Sequence, residues 1–140
     1  MSNVRINDHS NEYMDDVQRA LTAALDAVGS FISDEAADEL ENSPRRVDTA
    51  LLKNSITWAM DGEAPAKGSY SSTDGSKSGS YSGTADKESG KNRSVTVGTN
   101  VEYAIYVHEG TVDMSPNRFL KNAVVRNQDQ ITKYIKDAMR

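Results

Sequence analysis

The sequence predicts an α+β domain: a long N-terminal helix packed on a small antiparallel sheet of three or four strands, with a C-terminal helix and a long flexible connection between strands. Three observations carry this. Apolar residues recur at steps of three or four over residues 11–41. They alternate with polar ones in "SITWAM", "RSVTV" and "VEYAIYVH". They return to helical spacing between Leu120 and Ala138.

The first helix is read from Met14, Val17, Leu21, Ala24, Leu25, Val28, Phe31, Ile32, Ala36 and Leu40. Ser10 or Asn11 can cap its start, and acids follow in the first turn. Gly29 is placed to bend its middle. The sequence "NSPRR" ends it, because Pro44 disfavours a helical Ser43. At this length it either breaks in two or runs past the sheet. In "VDTALLKNSITWAMDG", Asp48 or Thr49 can cap a short helical turn through Leu52 or Lys53. Ile56, Trp58 and Met60 then face one side of a strand, with Thr57 and Ala59 on the other. "NVRI", residues 3–6, adds a short edge strand.

Residues 67–92 change character: eight Ser and five Gly fill half of the 26 positions, and no apolar periodicity survives. The segment echoes itself, with "GSYSSTD" from Gly68 and "GSYSGTAD" from Gly79. It is expected to be a flexible loop, or a hairpin arm ordered by a neighbour, inside one domain spanning residues 1–140. Order resumes at Val95 and Val97. "GTN", residues 98–100, reads as a tight turn, and Val101, Tyr103, Ile105 and Val107 as the buried face of a following strand, making a hairpin. Trp58, Val95, Val97, Tyr103, Ile105 and Val107 are the expected packed face of the sheet. Ser115 and Pro116 then read as N-cap and first residue of the last helix.

Composition narrows the function. The chain has 140 residues, no Cys and a net charge of −5. Disulfides and thiolate metal sites are excluded, and a reducing site of synthesis fits. No signal peptide is visible, and no apolar run approaches the ~18 residues of a membrane span. Charge is uneven: residues 1–42 hold ten acids against two bases, a net −8, and residues 117–140 hold six bases against two acids, a net +4. Such polarity can steer head-to-tail contact between copies of the chain.

Chemical motifs are mostly missing. Two distant histidines without Cys make no zinc site, and no calcium loop, nucleophile elbow, S-x-x-K or phosphate-cradling loop occurs. No catalytic, cofactor or metal residue is therefore assigned. His108 beside Glu109 suggests a dyad, but neighbours on a strand diverge, so the pair reads as a polar strand end entering a turn. Tyr70 and Tyr81, flanked by Lys67, Lys77 and Lys87, leave a nucleic-acid-binding module as an alternative class, although no recognised binding pattern is present.

Three segments occur in order: "VDTALLKNSI" (residues 47–56), "VGTNVEYAIYVHEGT" (97–111) and "SPNRFLKNAV" (115–124). Together they resemble the HK97 gp10-like family of tailed-phage proteins, over residues 11–140 without the Ser/Gly excursion. Ala50 stands where that family usually has Gly, Arg118 stands beside Phe119 where Pro-Phe is common, and the Ser/Gly insertion is longer than usual. The resemblance implies a structural, non-enzymatic neck or tail-completion protein at the head–tail joint of a long-tailed phage or prophage, acting as a ring. A tail terminator or minor capsid protein is the alternative within that class. Implied partners are copies of itself, the adjacent head-closure and tail proteins, and non-specifically the channel DNA, with no membrane. The implied location is the virion, after assembly in the host cytoplasm. Candidate arm or subunit-contact residues are Tyr70, Lys77, Tyr81, Tyr106, His108, Glu109 and Arg118.

Overall fold

A computed structural model describes residues 10–42, 44–47, 50–86 and 93–139, with side chains from residue 16 onward. The order is α1 (Ser10–Asn42), α2 (Leu51–Ser55), β1 (Thr57–Met60), β2 (Ser69–Ser71), β3 (Ser78–Ser80), β4 (Val95–Gly98), α3 (Ala104–Glu109), α4 (Phe119–Arg126) and α5 (Gln128–Ala138). This is the expected α+β class, but the four strands form two separate antiparallel pairs. The proposed edge strand at residues 3–6 and the caps at Asp48 or Thr49 lie outside the described residues.

The first helix is unbroken. Ala24, Val28, Ile32, Ala36 and Leu40, at four-residue steps, form its buried stripe. It contacts α2, β1, β4, α4 and α5, so most of the core is assembled along it. Gly29 does not interrupt the helix; it lets Trp58 and Val95 come close. A Cβ there would lie 2.6 Å from Trp58 Cδ1 and 2.7 Å from Val95 Cγ2. Trp58 Nε1 also donates to Asp26 Oδ1 at 2.8 Å, which fixes the strand on the helix.

The end of α1 is satisfied without a helical continuation. Its last carbonyls take three separate donors: Asn42 Nδ2 to Asp38 O at 2.7 Å, Asn117 Nδ2 to Glu39 O at 2.8 Å, and Arg46 N to Leu40 O at 2.6 Å. Asn117 Nδ2 also reaches Pro44 O at 2.8 Å, and the side chain is 1% exposed.

β1 pairs with β4, Trp58 opposite Val97 and Met60 opposite Val95. The expected second hairpin partner of β4 is not a strand. Residues 101–108 turn into α3 instead. The alternation is real, but the burial follows helical spacing: Val101, Ala104 and Val107 are buried, while Tyr103, Ile105 and Tyr106 are exposed. Of the six expected packed-face residues, Trp58, Val95 and Val97 are half-buried and Val107 is buried. Tyr103 and Ile105 are on the outside, Ile105 at 64%. Tertiary packing overrides the strand propensity of these residues. Ala104 and Val107 join the cluster that contains Leu40, Leu52 and Phe119.

Ser115 does not cap the last helix. Its carbonyl and hydroxyl take Arg46 Nη2 at 2.9 and 3.2 Å, and α4 starts at Phe119 behind Arg118, with no side-chain cap on that residue. The expected single C-terminal helix is interrupted at Asn127. Phe119 and Ala123 bury α4 against α1, and Tyr134 of α5 meets Phe31 with ring centroids 5.6 Å apart.

Candidate functional site

The candidate residues fall in two places. Tyr70 and Tyr81 belong to the Ser/Gly segment, which carries the β2–β3 hairpin, Tyr70 opposite Gly79. Its contacts are made with its own subunit, whereas the sequence reading has a hairpin ordered only by a neighbour. The two rings meet with centroids 5.4 Å apart. Tyr70 Oη donates to Asn100 Oδ1, and Tyr81 Oη donates to the Ser55 carbonyl. Asn100 Nδ2 returns a bond to Ser80 O at 2.9 Å, and Asn54 Nδ2 reaches Ser71 O at 2.9 Å. Burial pushes the Tyr70 phenol up, with the neighbouring tyrosines adding to it. The turn is closed by Asp74, whose Oδ1 accepts from Ser76 Oγ at 2.7 Å, Ser76 N at 2.9 Å and Ser72 Oγ at 2.7 Å. Those donors, Ser76 first, hold its carboxyl down at about 2. The tyrosines thus anchor the hairpin inward, and Lys77 at its tip stays exposed.

His108, Glu109 and Arg118 come together at the junction of α3 and α4. His108 Nδ1 lies 2.7 Å from Glu109 Oε1, so the two side chains meet and do not diverge as they would on a strand. The backbone N–H of Lys121 points at His108 Nε2 at 3.4 Å, in the first turn of α4, where no side-chain cap is supplied by Arg118. With Nε2 accepting, Nδ1 carries the proton that Glu109 takes, so both ring nitrogens have structural partners. The His108 bond, before other causes, holds the Glu109 carboxyl below its ordinary value. Arg118 Nε adds a 3.8 Å ion pair to Glu109 Oε2, and the imidazole stands edge-on to Phe119 with centroids 5.3 Å apart. This is a strut between two helices. Tyr106 is not part of it; it stands exposed beside Ile105 on the outer face of α3.

Between these places lies a cleft of about 390 Å³, lined by Arg45, Arg46, Lys53, Lys77, Tyr103 and Val107 among others. Glu41 partly neutralises it, taking Lys53 Nζ at 2.9 Å and Arg45 Nε at 3.3 Å. The Lys53 hydrogen bond, the largest cause, lowers the Glu41 carboxyl. Four cations against one carboxylate leave a net +3 at the C-terminal end of α1, where the helix dipole is negative. The sequence reading gives Arg45 and Arg46 no role beyond ending the helix. The signal was three cations within residues 45–53 directly after a helix stop. The charge contrast between the chain's ends is also partly used up internally, since Arg126 Nη1 holds both carboxylate oxygens of Glu39 at 2.7 and 2.8 Å.

Among the described residues no group of His, Asp and Glu is placed to hold a metal, and no helix is long and apolar enough to cross a membrane. The fold and its surfaces define a small α+β protein that presents charge and exposed apolar side chains to other proteins. The chain belongs to the HK97 gp10-like family, whose model, described as "Bacteriophage HK97-gp10, putative tail-component", matches residues 5–110. It is a phage structural protein of the tail-component class, with a virion location and virion proteins as its partners. The first resembling segment lies within the match, the second does so up to Gly110, and the third, residues 115–124, lies beyond it. No curated protein and no solved structure matches the chain.

Proposed function

We propose that this protein joins head to tail in a long-tailed phage or prophage, as a ring of identical subunits and without enzymatic activity. Family membership over residues 5–110 is the observation that carries the reading. The surface supports it: a heterologous ring contact needs two unlike patches on one subunit, and the chain has a basic cleft and an acidic helix face. Tyr106, with Ile105, supplies apolar area suited to the middle of such a contact, while Glu109 and Arg118 sit at its polar margin. The hairpin, with Lys77 at its tip, is the arm that reaches a neighbouring subunit. Its two tyrosines serve as hinge pins, not as the gripping residues.

A nonsense mutation in the gene tests the placement. Electron microscopy of the lysate should show filled heads and finished tails that remain separate, restored to whole virions by adding the purified protein. Tails of uncontrolled length would move the protein to tail termination. Normal joined virions lacking the protein would overturn the reading. Cross-linking of intact virions tests the ring: a ladder of multimers is expected, and monomers alone would remove ring assembly.

A further inference from the structure

We propose that the basic cleft receives the acidic outer face of α1 from a second copy of the chain, with Asp34 and Asp38 as the incoming carboxylates. This rests on the ring reading and names its contact. The first observation is the cleft itself. Lys77 extends into it from the hairpin with no acceptor for its ammonium among the described residues, and Arg46 Nε is buried there without a partner. The exposed Lys77 ammonium is the accessible one of the two, so an arriving carboxylate gains there a charge-assisted bond that the isolated subunit lacks. Lys53 and Arg45 are already held by Glu41, and Arg46 is committed through Nη1 to the Arg45 carbonyl and through Nη2 to Ser115, which leaves Lys77 as the receiving cation in a cleft of net positive charge.

The second observation is on α1. Asp34 and Asp38 are exposed on the side opposite the Val28–Ile32–Ala36–Leu40 stripe. Neither carboxylate has a partner among the described residues, whereas Glu39 and Glu41 on the same helix are both paired. Residues four apart on a helix lie roughly 5–6 Å apart, a spacing at which two carboxylates can enter one basic cleft side by side. Opposite charge gives the contact its register. The third observation supplies area: Tyr103 lines the cleft, and Ile105 and Tyr106 are exposed large side chains on the same short helix segment. An apolar centre with a charged margin is the usual anatomy of a protein–protein contact. Nucleic acid is the poorer occupant. The cleft is short, the chain carries a net −5, and Asp34 and Asp38 lie on the helix that ends at the cleft, where they would repel phosphates.

The absence of Cys from the sequence makes a clean test. Virions are assembled with the full chain carrying Lys77→Cys and Asp38→Cys together, then oxidised. Disulfide-linked multimers are expected, and neither single variant should give more than dimers. Charge provides the second arm. Lys77→Glu and Asp38→Lys should each lower virion yield or self-association ~10-fold or more, and the double reversal should recover it. Both residues are exposed, so folding is unaffected, and melting curves will verify this. If the cysteine pair gives only monomers while a lysine-reactive cross-linker still yields multimers, this contact is wrong and the ring stands. Monomers from both treatments sink the ring and the contact together. Loss of duplex-DNA binding in Lys77→Glu, with self-association unchanged, would assign the cleft to nucleic acid and overturn the proposal.

Discussion

Replacing Gly29 with alanine should lower stability, although the same change in an ordinary helix raises it. A glycine in a helix interior costs ~1 kcal/mol relative to alanine, so the local term favours the mutant. The packing term opposes it. The new methyl would sit 2.6 and 2.7 Å from Trp58 Cδ1 and Cγ and 2.7 Å from Val95 Cγ2, where ordinary carbon contacts are ~3.5–4 Å. Trp58 cannot simply swing away, because its indole N–H is held by Asp26 and its strand is paired to β4. The helix and the two-stranded sheet must therefore separate by a large part of an ångström. Overpacking of this kind costs ~1–3 kcal/mol, and with three contacts the upper half of that range applies. The net loss is about 1–2 kcal/mol, or a melting temperature lower by about 3–10 °C for a domain of this size. The assay is built in, since Trp58 is the single tryptophan and sits at the contact. Thermal unfolding followed by its fluorescence should show the lower midpoint and a shifted native emission. Ser30→Ala, one residue along the same helix, should change stability by no more than about 0.5 kcal/mol and serves as the control. A Gly29→Ala protein with an equal or higher midpoint and unchanged emission would refute the close approach.

Three other outcomes follow from individual residues. Asn117→Asp should destabilise by about 3 kcal/mol or more in urea, because it sets a buried carboxylate against the Glu39 and Pro44 carbonyls; Asn117→Leu should cost about 2 kcal/mol, and the reverse order would be inconsistent with the bonding described. Ala50 sits at φ 65°, a left-handed conformation that costs ~1–2 kcal/mol for a residue with a Cβ, so Ala50→Gly should stabilise by up to about 1 kcal/mol after the entropy of the unfolded chain is counted; a loss would refute the strain. Asp74 has a depressed carboxyl, at about 2, so its contribution is present above the ordinary value of ~3.9 and fades as the pH falls towards 2; the protection factor of the Ser76 amide, corrected for intrinsic exchange, should fall over that interval and stay constant between pH 5 and 8.

The long helix was legible because its periodicity runs for some thirty residues, long enough to outweigh a mid-helix glycine. The α3 segment was not, because it satisfies two periodicities together. Val101, Tyr103, Ile105 and Val107 fit a strand; Val101, Ala104 and Val107 fit a helix. What decides is that Ala104, not Ile105, is packed into the cluster around α1, and no local rule ranks a small side chain above a β-branched one for burial. That the hairpin is ordered by its own subunit was hidden for a different reason. Its composition offers little apolar surface, and it is held by polar bonds and one tyrosine pair. The "GSY" echo did mark the residues that pair: it sets each tyrosine two residues after a glycine, and the fold brings the two rings together. Of the cleft, only the three cations of residues 45–53 left a mark in the sequence. Its cations come from residues 45–53 and from the hairpin tip, and its aromatic wall from Tyr103, so its charge density exists only after folding.

The three segments that carry the family resemblance converge in space, around the C-terminal end of α1. Residues 47–56 supply α2 and one wall of the cleft. Residues 97–111 supply the Thr99–Asn100 corner, where Thr99 Oγ1 meets Ser55 Oγ at 2.5 Å and Asn100 holds Tyr70, and then α3. Residues 115–124 supply Asn117, which satisfies the helix end, and Phe119, which fills the space beneath His108. The three pack together at that end, and the third, through Asn117, satisfies one of the carbonyls that the last turn of the long helix would otherwise leave unpaired. Finishing it this way gathers cations at the negative end of the helix dipole and turns the apolar side of α3 outward. Asn117 belongs to the closure of the fold, and Lys77, Asp38 and Ile105 belong to the surface laid over it. Ile105→Asp separates the two. At 64% exposure the new carboxylate stays solvated, so the melting temperature should hold within about 1 °C. If the surface is a subunit contact, tail attachment should fall while the fold survives. A large loss of stability would instead place Ile105 in the core and undo the assignment of residues 104–109 to a helix.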